Sequence, residues 1–178
     1  MLLAAFTLVH VVLSLVGIGA GFVVMAGLLG GREHRRWTAL FLVTTVATSV
    51  TGFGFPVDHL LPSHVIGVVS LVVLAVTTFA RYGGHLAGAW RWVFVVGSAA
   101  ALYLNVFVGV VQAFLKVPVL HALAPRQSEP PFLVTQVVVL VLFVVLTVSC
   151  AKRFRGDASV ASDGSYREQV HGSNVVSG

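Results

Sequence analysis

Eight residues combine polar chemistry with positions in or beside long apolar segments: His10, Asp58, His59, His64, Asn105, Gln112, Lys116 and Gln136. Three of them fall in one short stretch, "GFGFPVDHLLPSH", residues 52–64. Such residues offer three kinds of chemistry. The imidazoles of His10 and His64 could be axial haem ligands or metal ligands if they face one another from different helices. The amides and Lys116 could hold the polar head of a quinone or a lipid in an otherwise apolar pocket. All of them could instead hydrogen bond between helices and only join a bundle. No compact His/Cys/Asp spacing resembles a zinc motif, and the histidines are not paired at both ends of the segments, so haem or metal at His10 and His64 is an alternative and not the main expectation.

Catalysis has less to work with. The chain offers no nucleophile beside a base, no carboxylate pair within an apolar segment and no phosphate-binding loop. "GIGAG", residues 17–21, sits inside a hydrophobic run instead of following a strand, which makes it a packing feature. The expectation is a non-enzymatic protein.

The elements that must position these residues follow from composition. With 57% hydrophobic and 10% charged residues, side chains in such number cannot face water. A hydrocarbon core about 30 Å thick needs about 20 apolar helical residues. Five segments qualify, at about 2–29, 38–55, 64–82, 92–115 and 132–151. In lipid the backbone must satisfy its own hydrogen bonds, and these runs lack the alternation of a membrane barrel. The fold class expected is therefore an all-α membrane protein, a five-helix transmembrane bundle over residues 1–155. Residues 156–178 are small and polar without a periodic apolar face and are expected to be a disordered cytoplasmic tail. The first segment has no basic residue before it and outruns a signal peptide, so it is expected to be retained.

Positive charge sets the orientation. Of the eleven Lys and Arg, all but Lys116 and Arg126 fall in the connections "GGREHRRW" and "RYGGHLAGAWR" or after residue 151. Those segments are expected in the cytoplasm, which puts the amino terminus outside and the carboxy terminus inside. Trp37, Tyr82, Trp90 and Trp92 gather at the same boundary, where amphipathic rings prefer to lie. The charge is spread over helix ends and not over an aromatic-studded face, which argues against nucleic acid. A lone Cys150 cannot form an internal disulfide.

Helical phase then groups the polar residues. His10, Ser14, Gly17 and Gly21 share one stripe, and the two glycines form a small-xxx-small pair that lets another helix approach. Thr44, Thr48 and Thr51, with Thr45 and Ser49 beside them, make a broad, weakly polar face on the second segment. Ser98, Ala101, Asn105, Gly109, Gln112 and Lys116 form a stripe on the fourth. Counting about 1.5 Å per residue from the basic ends places His10, His64, Gln112 and Gln136 at similar outer depths, beside Asp58, His59 and Lys116 in the outer loops. An outer polar layer is expected. Pro56 is expected to end the second helix, Asp58 to cap a short turn, and Ser63 to cap the third helix.

The segments "TALFLVTTVATSVTGFGFP", "LPSHVIGVVSLVVLAV", "HLAGAWRW", "ALYLNVFVGVVQAFLKVP" and "QSEPPFLV" together resemble a family of small bacterial polytopic inner-membrane proteins of unassigned activity. The resemblance spans roughly residues 5–155. It implies a bacterial inner-membrane location and assigns no functional residue. The main functional expectation is a structural or assembly partner with an outer polar layer, in contact with the bilayer and with a membrane protein or a second copy. The alternative is a binder of a small lipophilic ligand or of haem in that layer.

Overall fold

The computed structural model describes the backbone of residues 1–54 and 62–154, and the side chains of all of these but 62–64. The described chain is helical throughout: α1 (Leu2–Leu29), α2 (Arg35–Gly52), α3 (Pro62–Tyr82), α4 (Ala89–Lys116), a short α5 (Pro118–Leu123) and α6 (Pro130–Arg153). No strand occurs among the described residues. Asp58, His59 and the expected tail at 156–178 lie outside them.

Four helices, α1, α3, α4 and α6, are long and apolar enough to cross a membrane. This is the make-up of a multi-pass membrane protein. Their outward faces agree with it: Leu8, Val72, Val137, Val141 and Leu142 are each more than half exposed, an apolar surface that suits lipid and not water. The fifth segment, α2, is a helix but is not among the four. It starts with Arg35 and Arg36 and carries Thr38, Thr44, Thr45, Thr48, Ser49 and Thr51 in its 18 residues. It lies against α1 and α3, while α4 packs on α1, α3 and α6.

The boundaries differ from expectation at several ends. α2 stops at Gly52, about a turn before the expected 55, with Phe53 and Gly54 turning back by hydrogen bonds to the carbonyls of Val50 and Thr51. α3 begins at Pro62, so Ser63 lies within the first turn and does not cap it; proline suits a first helical position because its missing N–H has no partner there. The turn α5 was not expected. It starts at Pro118 and brings Ala124 and Leu120 against Phe114 and Phe132, a small apolar cluster at that end of the bundle.

The main core sits at the opposite, arginine-rich end. Leu28, Phe41, Phe94 and Leu102 are fully buried, joined by Met25, Val24, Leu74 and Phe143. Close helix approach is built into α1. A Cβ on Gly21 would come within 2.6 Å of Leu102 and 2.9 Å of Phe41, so no other residue fits without moving two sealed side chains. An ion pair between Arg81 and Glu33 ties the α1–α2 turn to the end of α3.

Candidate functional site

Above the core the four helices α1 to α4 separate around a cavity of about 610 Å³. On α1 it runs from Thr7 to Ile18, and on α4 from Leu104 to Val117, a depth of about 16–20 Å along the helix axes. The sequence stripes explain which faces line it. On α1, His10 and Ser14 face the cavity, and Gly17 in the same stripe meets Thr44 and Thr45 of α2 and Asn105 of α4 below it. On α4, Ser98 and Ala101 are buried in the core, while Asn105, Gly109, Gln112 and Lys116 line the opening. Each stripe packs at one end and opens at the other.

The floor is fixed by polar contacts between helices. The amide of Asn105 donates to the hydroxyl of Thr45 at 3.3 Å. Thr44 and Thr51 donate to carbonyls of their own helix, at Leu40 and Ala47. His10 Nδ1 and the hydroxyl oxygen of Thr51 are hydrogen-bonded at 2.8 Å, which ties α1 to α2 above the floor.

The hydroxyls divide into two sets. Thr44, Thr51, Thr77, Thr135, Thr147 and Ser149, and Thr7 at the edge of the cavity, each bond to the carbonyl four residues back. This is the usual way a hydroxyl is satisfied in a membrane helix. Ser14, Thr48, Ser49 and Ser70, all lining the cavity, bond to no other described residue. Thr48 is only 7% exposed, and its Oγ1 is buried with no hydrogen-bond partner. A buried hydroxyl without a partner is costly. Thr38 and Ser98 also lack partners, but they are sealed in the core.

Four of the eight sequence candidates therefore meet in one place: His10, Asn105, Gln112 and Lys116. Gln136 does not join them. Its amide donates to the carbonyl of Phe107 at 3.3 Å and its Oε1 is buried without a partner, so it belongs to the α4–α6 contact. Depth along the membrane grouped Gln136 with the others, but depth does not determine which neighbour a helix face meets. Asp58 and His59 lie outside the described residues, as does the side chain of His64, and with it the expected pairing of His64 with His10. Among the described residues no group of three or more His, Cys, Asp or Glu is placed to hold a metal ion. Ser70, on α3, was not singled out from sequence; Gly67 one turn before it marks a small, weakly polar face that could have been read.

Comparison with protein-family models, with curated proteins and with solved structures finds no match to this chain.

Proposed function

We propose that this chain is a non-enzymatic multi-pass protein of a bacterial inner membrane that binds a small lipophilic ligand in the cavity between α1 and α4. The observation that carries the reading is the cavity itself. Its volume lies within the range of about 300–1,000 Å³ for small-ligand sites, its walls are mainly apolar, and a few polar groups converge on it from four helices. The hydroxyls of Ser14, Ser49 and Ser70, which line the cavity and bond to no other described residue, support an occupant that can bond to them. Five spans with the amino terminus outside are part of the same proposal. The polar face of α2 packs inward on α1 and on the cavity, which would let a helix of modest hydropathy cross between α1 and α3.

The test is mass spectrometry of the protein purified in mild detergent, with an optical spectrum of the same sample. A lipid-like molecule retained by the protein is the expected result. Gly109 provides the control, because a Cβ there would meet only Ile18, at 3.8 Å, so Gly109→Phe fills the cavity without disturbing the core. The variant should insert normally and lose the bound molecule. Retention of the same molecule by Gly109→Phe would reject the cavity as its site, and a Soret band lost with His10→Ala would replace the proposal with haem.

A further inference from the structure

The cavity's polar groups also specify the kind of head its ligand carries. Among the described residues that line it there is no aspartate or glutamate, and Lys116 is the only fully charged side chain. Lys116 is exposed at the last residue of α4, at the mouth, with Gln112 one turn below it. Asn105 lies a further two turns down, about 16 Å from Lys116 along the axis. Between them the wall is formed by Val108 and Gly109 of α4 and by Val11 and Leu15 of α1.

Resting on the proposal that the cavity holds a lipophilic molecule, we infer that this molecule is an amphiphile with an acidic head, a carboxylate or a phosphate, bound by Lys116 and Gln112 at the mouth, with its chain descending toward Asn105. A positively charged head would meet the ammonium of Lys116, and like charges at short range in a medium of reduced dielectric repel strongly. An uncharged head can accept a hydrogen bond from the ammonium but leaves its charge unneutralised. An acidic head forms a charge-assisted hydrogen bond with the ammonium, the stronger class of such bonds, and accepts from the Gln112 amide. Lys116 can reach up to the aqueous boundary or down to the mouth because its flexible apolar stem lies along the wall while the charge stays polar.

The experiment compares four probes with one alkyl chain and different heads: hexadecanoate, hexadecyl phosphate, hexadecanol and hexadecylamine. Each is titrated by native mass spectrometry against the full chain stripped of endogenous lipid in detergent. The acids should bind about tenfold more tightly than the alcohol, the amine least, and the better of the two acids tells a fatty-acid-like head from a phospholipid-like one. Lys116→Gln should bring the acids down to the level of the alcohol and leave the alcohol unchanged. Arg126→Gln removes the other cation of the connections at this end, one that does not line the cavity, and should change nothing. Equal binding of all heads, tightest binding of the amine, or an identical loss with Arg126→Gln would overturn the acidic head while leaving the cavity proposal intact. Binding of none of the probes, or unchanged binding by Gly109→Phe, would overturn the cavity proposal.

Discussion

The two ends of this bundle are built from the same helices and reach opposite solutions. At the arginine-rich end α1, α2, α4 and α6 close on Met25, Leu28, Phe41, Phe94 and Leu102 with almost no exposed surface. At the other end α1, α2, α3 and α4 hold a cavity of about 610 Å³ in which the hydroxyls of Ser14, Ser49 and Ser70 bond to no other described residue. Side-chain size explains much of the difference. The closed half pairs large apolar residues with glycines that admit them, as Gly21 admits Leu102 and Phe41. In the open half the small residues Ser14, Ser49, Gly52, Gly67, Ser70 and Gly109 share one space with larger apolar walls such as Leu15, Ile18, Ile66 and Leu104. Interiors approach crystal-like density when volumes match, and here the side chains do not fill the space between the helices, which leaves room for an occupant.

Substitutions should separate the halves. Phe94→Ala in the sealed core should cost about 3–5 kcal/mol through lost contact and a new void, read as unfolding in detergent. Val108→Ala on the cavity wall should cost well under half of that, because the space beside it is already open. An equal loss at both sites would mean that the cavity is as well packed as the core.

A smaller effect is expected at the glycines of α1. Gly21→Ala should destabilise by about 1–3 kcal/mol through overpacking against Leu102 and Phe41. Gly19→Ala, two residues away with nothing within 4 Å of its Cβ, should be neutral or slightly stabilising through helix propensity. Thermal melts of the pair in one detergent would show this, and similar values for both would dissolve the distinction between a packed and an open face of α1.

At the junction of the two halves, Asn105→Leu removes the hydrogen bond to Thr45 and should cost on the order of 1 kcal/mol. It should also weaken ligand retention. Loss of stability with retention unchanged would place Asn105 in the packing alone.

The smallest effect lies in the connection before α6. Slight desolvation works against ionisation of Glu129, but the backbone N–H groups of Glu129 itself, Arg126 and Ser128, and then the charge of Arg126, outweigh it and hold the carboxyl below its ordinary value. A lowered carboxyl pKa stabilises the fold above the unfolded value, and the contribution is lost as pH falls through the folded one. Melting temperature should be flat near neutrality and dip slightly in acid, and Glu129→Gln should remove that dip. An unchanged acid dip in Glu129→Gln would show that other carboxylates cause it.

Local pattern was enough to define the helices and their faces. Long uncharged runs specify apolar helices whatever their neighbours, because lipid forbids unbonded backbone, and the stripes of α1 and α4 follow from a period of 3.6 residues. The sequence therefore grouped His10, Asn105, Gln112 and Lys116, and it marked the close approach at Gly17 and Gly21. Tertiary structure decided the rest. Depth could be counted along a helix, but only the arrangement of neighbours turned Gln136 toward Phe107 while Asn105 turned toward Thr45. The packing of α5 against Phe114 and Phe132 is also visible only in the fold. Whether a weakly polar stripe closes or opens is likewise a property of the tertiary packing: Ser98 and Asn105 lie on one face of α4, yet Ser98 is sealed in the core while Asn105 lines the cavity.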